Sequence, residues 1–474
     1  ASEAAKVSSE FMNMGMSAAE ARDMQRELAA ESLKAGVNVG GVMKDIQQNA
    51  KIIEQLLDNV KICDPAIGSG AFPMGLLQII FRAKMTLDWT LDPAEVKRRI
   101  IQNSIYGVDI DKGAVEIARL RFWLSLIVDE NFPHPLPNLD YKIMQGNSLL
   151  ESFEGVDLKF DQKRFQTTVY DPEVDIFGNS IESQVSITDY LTTSDGTAQF
   201  DIEKLEKEYF NTHDTEKKTK LKQELYQFER SFISDCLNQK YNELDNEITH
   251  IEKKITGITA RAKANKLAKL NKDKDHISGS KLKLENMESD DKPYFLWHLY
   301  FMDVFKQGGF DIVIANPPYI QLQKSLDEGT NTKYADLYKD CGYETFKRTG
   351  DIYALFYELG INVLKQGGHL TFITSNKWMR AGYGDVLRGF FTKHNPKQLL
   401  DFGGFKVFES ATVDVNIILV CKDEPFVSMD ATHFRNDFNK GDSVADYFEQ
   451  NKVNLSDLSD DTWFIGSRAE IALK

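Results

Sequence analysis

The chain has 474 residues, 42% of them hydrophobic and 27% charged, a balance that excludes a low-complexity or fibrous chain and allows two or three structural units. Its net charge of -15 argues against a surface coated in phosphate-binding side chains, while leaving room for a local basic face. Cys63, Cys236, Cys341 and Cys421 stand far apart with no C-x-x-C pair, so neither a zinc site nor a disulfide framework is expected and a reducing cytoplasm fits. No apolar run reaches the roughly 18 residues that span a bilayer, and no basic segment followed by an apolar core opens the chain. Neither membrane insertion nor secretion is expected.

Taken in chain order, the first 57 residues are rich in Ala, Glu and Met and read as helical, with "AGVNVGG" as a break. Short apolar runs then mark strands at 60–63, 104–108, 141–145, 311–315, 369–374, 399–402 and 414–421. Helix-length patterns lie between several of them, at 71–86, 112–127, 351–365 and 380–393. Such alternation predicts an α/β core with a mostly parallel sheet covered by helices on both faces.

The long interval 151–309 has a different rhythm. Leu221, Leu225, Phe228 and Phe232, then Leu237, Tyr241, Leu244, Ile248, Ile251, Ile255 and Ile258, alternate steps of three and four, the seam of packed helices. We read a hairpin of two long helices whose second arm continues into "ARAKANKLAKLNKDK". There Arg261, Lys263, Lys266, Lys269, Lys272 and Lys274 form the densest basic run, either a solvated helix face or a contact for a phosphate backbone.

Two motifs carry chemistry. "KICDPAIGSGAF" (61–72) joins a strand to a helix through an acidic residue and a turn containing Gly68 and Gly70. Glycines let a ligand approach the backbone, and the helix start offers unpaired N–H groups. The spacing is neither G-x-G-x-x-G nor a P-loop. In "YGVDID" (106–111), Asp109 ends the next strand, where a carboxylate in a doubly wound fold accepts ribose hydroxyls; Asp111 better suits a helix cap. An adenosine-containing cofactor follows from the pair. In "FDIVIANPPYIQ" (310–321), Asn316 leaves a strand with an acceptor oxygen, the prolines stiffen the turn, and Tyr319 adds a flat face. That set suits a planar ring with an exocyclic amine. A rigid loop whose Tyr fills the core is the alternative.

"DPAIGSGAF", "GVDID" and "NPPY", in this order, resemble the amino-methylating DNA methyltransferases that use S-adenosylmethionine. Within that group they resemble the N6-adenine enzymes whose cofactor motif precedes the catalytic one. The likeness runs from about residue 58 to the end, through "GDIYALFYELGINVLKQGGHLTFITSNKWM" (350–379) and "FKVFESATVDVNIILV" (405–420). The helical insertion is placed as in fused type IIG restriction-modification enzymes. The resemblance implies a seven-stranded, mostly parallel Rossmann-like methyltransferase sheet with a long helical-hairpin insertion and a helical N-terminal segment. It divides the chain into a connector (1–57), a cofactor half (58–150), the insertion (151–309), a catalytic half (310–425) and an extension (426–474) toward a target-recognition domain outside this chain.

The resemblance also implies roles. Asp64, Ala66, Gly68 and Gly70 surround the methionine end of the cofactor, Asp109 holds its ribose, and Ile110 packs on its adenine. Asn147 stands where many relatives place an Asp against the adenine amine. Asn316 and the Pro317 carbonyl accept hydrogens from the target amine, and Tyr319 stacks on the target base. Phe356 lies near the cofactor's methyl group, and Phe408 on the far side of the flipped base; either aromatic could instead be a core residue. No metal is required. The expected partner is double-stranded DNA in a bacterial or archaeal cytoplasm, with possible nuclease and target-recognition domains outside this chain. The Thr-Pro segment that relatives carry before the glycine turn is not found in "AGVNVGGVMKD". The "EKK" runs at 216 and 252 sit on the hairpin and read as surface charge rather than a nuclease site. A methyltransferase of a release-factor glutamine amide, and a catalytically silent DNA-binding subunit, remain as alternatives.

Overall fold

The computed structural model describes residues 39–466 apart from 89, 129–138, 155, 159–204, 206–207, 210–211, 213, 254–259, 288–293, 328–330, 404, 409–412, 427, 436, 440 and 457. Helix α1 (Val39–Asn59) leads to β1 (Ile62–Asp64), α2 (Ala71–Leu87), α3 (Pro93–Ser104), β2 (Ile105–Asp109), α4 (Lys112–Ile127) and β3 (Ile143–Gln145). A small ribbon, β4 (Ser152–Phe153) and β5 (Val156–Asp157), precedes the long helices α5 (Thr215–Lys253) and α6 (Ala260–Asn286). Two helical turns, α7 (Trp297–Tyr300) and α8 (Met302–Phe305), return the chain to β6 (Phe310–Ala315). The remainder is α9 (Tyr334–Tyr338), α10 (Tyr353–Val363), β7 (Leu364–Ser375), α11 (Asp385–Phe391), β8 (Asn395–Asp401), β9 (Val415–Cys421), β10 (Ser428–His433), α12 (Val444–Asn451) and β11 (Val453–Ser456).

The main sheet has the order β11-β10-β8-β9-β7-β6-β1-β2-β3. Strands β3, β2, β1, β6 and β7 are mutually parallel, and β9 and β11 run against their neighbours. Period-two alternation sorts the apolar side chains onto two faces. Ile62, Ile105 and Ile143 face the helices α2, α3 and α4, while Cys63, Tyr106, Val108 and Val313 face a larger core that includes α10 and the base of the long helices. Both faces are covered, as a parallel sheet requires.

All seven expected strands are present, but the sheet has nine. Beyond residue 425, β10 adds in parallel to β8, with Asp430 opposite Gln398, and β11 pairs antiparallel to β10. "SMDATH" buries only Met429 and Ala431 from its apolar side, too weak a pattern to show in the sequence. The expected helix 380–393 is shortened to α11, because two 3-10 turns, Asn376–Met379 and Gly382–Gly384, come first. The expected break at 35–41 is described only in part. Gly40 and Gly41 already lie in the first turn of α1, where two glycines cost a helix little more than about 1 kcal/mol each.

The helical hairpin is present with a different division. Both seam sets fall on the single 39-residue helix α5, and the basic run opens the return arm α6; Ile255 and Ile258 lie outside the described residues. The arms run antiparallel. Tyr226 donates to the Met287 carbonyl at 2.5 Å and Arg230 to that of Glu285 at 3.0 Å, while Lys266 pairs with Glu247 at 2.9 Å farther along. Leu244, Ile248 and Ile251 on α5 and Leu270, Ile277 and Leu284 on α6 fill the interface.

A buried carboxylate anchors the hairpin. Glu229, only 3% exposed, accepts hydrogen bonds from the hydroxyls of Tyr294 at 2.8 Å and Tyr300 at 2.5 Å, on the segment that leads back to the sheet. Phe295 N–H in turn donates to the Leu150 carbonyl at 3.0 Å, just past β3. Among the described residues no helix is long and apolar enough to cross a membrane. Glu229→Ala strands two buried hydroxyls, so we expect a loss of about 2–4 kcal/mol in urea unfolding. A loss below about 0.5 kcal/mol would show that the hydroxyls find water instead.

Candidate active site

Chain connections reverse direction across the sheet between β1 and β6. From β1 the chain builds outward to β2 and β3, and after the insertion it returns to the opposite side of β1. In open α/β sheets the crevice at such a reversal is where ligands bind, at the carboxyl ends of the strands. Register fixes what stands there: Ile62 pairs with Ile312 and Cys63 with Val313. Asp64 is therefore level with Ile314, and Asn316 stands two residues farther up a strand about 4.8 Å away.

The β1 turn is held by backbone bonds. Ala66 N–H donates to the Asp64 carboxylate at 3.0 Å, Ile67 N–H to the Val108 carbonyl at 3.0 Å, and Gly70 N–H to the Ile67 carbonyl at 2.8 Å. Gly68 (φ +51°) and Gly70 (φ +79°) both lie in the left-handed region. A Cβ on Gly70 would stand 3.2 Å from that of Ala118, so α4 packs directly against the turn. At Gly68 a Cβ would meet nothing within 4 Å, so this side of the turn is open.

Asp109 joins the two turns. Its carboxylate accepts from Gly68 N–H at 2.8 Å and from Asp111 N–H at 2.9 Å. Asp111 caps α4 by accepting from Ala114 N–H at 2.7 Å. Ile110, 57% exposed, offers an apolar surface beside them. Asp64 is buried, and burial, with a smaller contribution from the Asp109 charge, pushes its carboxyl up to about 8 against the stabilising Ala66 bond.

Across the crevice, Asn316 is exposed, Pro317 buried and Tyr319 half-buried. The Tyr319 hydroxyl lies 3.0 Å from Asn316 Oδ1 and 3.3 Å from the Ile373 carbonyl, so its one proton is shared between these acceptors. Burial, and then the nearby Asp351 charge, push the phenol up to about 12, so it stays a donor well into the alkaline range. The ring meets Tyr353 edge-on, with centroids 6.1 Å apart.

Residues 350–352 fix this corner: Ile320 N–H donates to Asp351 Oδ1 at 2.9 Å, Ile352 N–H to the Ile320 carbonyl at 2.9 Å, and Leu322 N–H to the Gly350 carbonyl at 3.1 Å. Burial raises the Asp351 carboxyl to about 6 despite these backbone donors. Asp351 is a positioning residue that the sequence reading missed. Its signal was present, an acid two residues ahead of the helix start in "GDIY".

The far wall comes from β8 and β10. Asp401, at the end of β8, is fully buried. It lies 3.0 Å from His433 Nδ1 and accepts from Asn376 Nδ2 at 2.8 Å and Gly403 N–H at 3.1 Å, with Arg380 3.8 Å away. Burial acts to raise its carboxyl, but these partners outweigh it and hold the group below the usual carboxylate range. Phe402 stacks on Phe434 at 4.5 Å, and Phe434 on Tyr447 at 4.9 Å. Tyr319 and Phe408 both pack against this aromatic cluster, so the corner and the far-wall aromatic share one surface.

Two expected residues make internal contacts. Asn147 Nδ2 donates to the hydroxyl of Tyr338 on α9 at 3.1 Å and its Oδ1 accepts from Leu149 N–H at 3.1 Å, so its amide ties the loop after β3 to α9. Phe356, 7% exposed, is part of the main core. The remaining ten fall into two groups: Asp64, Ala66, Gly68, Gly70, Asp109 and Ile110 around the β1 and β2 turns, and Asn316, Pro317 and Tyr319 after β6 with Phe408 from the segment after β8.

A doubly wound sheet with two specialised turns at its reversal point defines an α/β protein of the class whose ligand crevice lies at that point. Residues 103–408 match the family described as Eco57I restriction-modification methylase, and the chain belongs to that family. RM.MjaORFECS2P of Methanocaldococcus jannaschii, whose name joins a type II restriction enzyme to a methyltransferase, is 28% identical over 408 residues, 80% of this chain and 31% of that protein. RM.Eco57I of Escherichia coli, a type II restriction enzyme and methyltransferase, is 27% identical over 168 residues, 35% of this chain and 16% of its own. The chain thus spans less than a third of the length of either relative. Among solved structures, the EcoKI M protein is similar over 84% of this chain and 51% of its own, at 12% identity and a TM-score of 0.37.

The buried Asp64 makes a pH prediction. Between about pH 4 and 8 the folded protein holds a proton on this carboxyl that the unfolded chain has lost, so stability falls as pH rises through that interval and levels off above it. The slope from this group is at most about 1.4 kcal/mol per pH unit. Asp64→Asn should flatten the dependence of the urea midpoint on pH between 5 and 8; an unchanged profile would show that Asp64 ionises freely in the fold.

Proposed function

We propose that this chain is the methyltransferase part of a restriction-modification or phage-defence protein, transferring a methyl group from S-adenosylmethionine to the N6 amine of an adenine turned out of duplex DNA. One observation carries the reading: in a chain of this family, the glycine turn after β1 and the Asn-Pro-Pro-Tyr corner after β6 open on adjacent parallel strands at one edge. The names of the relatives support a methyltransferase within a longer polypeptide. In this reading residues 58–150 form the cofactor half and 310–425 the catalytic half, and nuclease and target-recognition parts lie outside this chain, in a protein of the cytoplasm.

The cofactor residues fit. Space is open at Gly68, Ile110 offers an exposed apolar face to an adenine, and the buried Asp64 carboxyl would balance a positive charge once it ionised. Asp109 keeps lone pairs for ribose hydroxyls beside the bonds it makes to Gly68 and Asp111. Phe356 would act from within the core, and Asn147 through its remaining acceptor capacity. When bound, S-adenosylmethionine supplies an electrophilic sulfonium methyl.

On the catalytic side, the nitrogen lone pair of an adenine amine is delocalised into the ring and nucleophilicity is low. Asn316 Oδ1 and the Pro317 carbonyl would take the two amine hydrogens, draw the nitrogen toward tetrahedral geometry and aim its lone pair into the crevice. Tyr319 pre-orients the Asn316 amide through its hydroxyl, and its ring and Phe408 would sandwich the base. That stacking offsets part of the few kcal/mol needed to extrude a nucleotide.

Asn316→Ala should lower methyl incorporation into long mixed-sequence duplex DNA by at least about 100-fold while leaving S-adenosylmethionine affinity within about twofold. Equal loss of both rejects the role, and N4-methylcytosine rather than N6-methyladenine in the digested product rejects the base assignment. A cationic ligand favours ionised Asp64, so cofactor affinity should climb from pH 6.5 to 8.5. Calorimetric titration of Asp64→Asn should show weaker binding without that rise.

A further inference from the structure

The hairpin climbs past the edge of the sheet toward the side on which the crevice opens. Near its start, Lys218 lies 3.8 Å from Asp140, just before β3. Farther along, Glu229 is bound by Tyr294 and Tyr300, next to Phe295, whose N–H meets the Leu150 carbonyl beyond the end of β3. Lys283, on the facing stretch of α6, pairs at 2.6 Å with Glu154, also past that end. The helices continue in the same direction. At 1.5 Å per residue, the 21 residues of α5 from about 232 to Lys253 carry the hairpin tip roughly 30 Å beyond Glu154.

Near this tip the charge reverses relative to the chain as a whole. Residues 240–253 and 260–272 hold seven basic and four acidic side chains, in a protein of net charge -15. The basic residues have two fates. Lys266 pairs with Glu247, Lys274 with Asp245, and Lys263 donates to the Glu252 carbonyl at 2.9 Å, so these tie the arms together. Arg261, Lys269 and Lys272 are exposed. At 100° per residue they fall within an arc of about 80° and span about 16 Å along α6, one stripe rather than a scatter. Asp273 and Asp275 mark its lower end.

We propose that Arg261, Lys269 and Lys272 form a contact for the sugar-phosphate backbone of duplex DNA, with the hairpin standing as an arm beside the duplex whose base enters the crevice. The inference rests on the DNA reading above and adds a surface to it. Backbone contact needs no base edge, so exposed flexible cations at this spacing suffice, and the packed seam beneath keeps the stripe rigid. Over the remainder of α5 and α6, eight basic side chains meet seven acidic ones, and the lysines at the start of α5 are partly paired, Lys217 with Glu208 and Lys218 with Asp140.

The test is the salt dependence of binding to a mixed-sequence duplex by the whole chain, measured by fluorescence anisotropy. Each phosphate neutralised contributes about 0.9 to the slope of log affinity against log salt. Replacing Arg261, Lys269 and Lys272 together by Gln should reduce that slope by about 2–3 and weaken binding roughly 10- to 100-fold at low salt, with S-adenosylmethionine affinity unchanged. Lys217→Gln with Lys220→Gln, at the other end of α5, should leave the slope as it was. An unaltered slope in the triple variant, or an equal fall in the control pair, overturns the assignment to the tip. If the wild-type chain bound no duplex at any salt, the DNA reading itself would fail as well.

Discussion

Parallel pairing of β1 with β6 is the contact on which the site depends. Two residues of register, Ile62 with Ile312 and Cys63 with Val313, set Asp64 opposite Ile314 and so bring Asn316 out two residues above it on the neighbouring strand. Because side chains alternate faces along a strand, a slip of one residue would exchange Ile312 with Val313 between the helical layer and the main core and turn the corner away from the glycine turn. The register is secured at its lower end as well, where Lys61 N–H donates to the Asp311 carboxylate at 2.7 Å. Packing that looks purely structural thus sets the distance between the two halves of the proposed chemistry.

The corner itself is stiffened from three directions. Prolines restrict φ at 317 and 318, Asp351 receives the Ile320 N–H, and Tyr319 reaches back to the Asn316 amide. Behind it, the extension beyond residue 425 supplies His433 to the buried Asp401 and Phe434, Phe438 and Tyr447 to the aromatic cluster. The loop carrying Phe408 therefore rests on residues from β8, β10 and α12 together. A preorganised acceptor of this kind needs little rearrangement when charge develops next to it.

Much of this was legible from the residues. The seven strand runs stood out because strands buried on both faces are dense in apolar side chains, and the glycine turn and Asn-Pro-Pro-Tyr corner are local in sequence. What escaped was non-local or weakly patterned. Asp401 and His433 are 32 residues apart and meet only because β10 lies beside β8. β10 itself offers little more than Met429 and Ala431. The hairpin's three-and-four spacing was plain, yet the seam from Leu221 to Ile251 runs unbroken through α5, so spacing alone could not say where the chain turns back. For Phe356 and Phe408 the residue type suited a ligand and a core position equally, and the sequence pattern alone could not choose between them.

The insertion between β3 and β6 also bears on how the molecule assembles. Lys61 and Asp311 are 250 residues apart, and closing an unstructured loop of that length is entropically costly and slow compared with local contacts. A helical hairpin built from neighbouring turns can form early and shorten the effective tether between the strand ends. The same arm that projects beyond the sheet would then serve the folding chain as a splint, drawing two distant stretches of polypeptide toward each other.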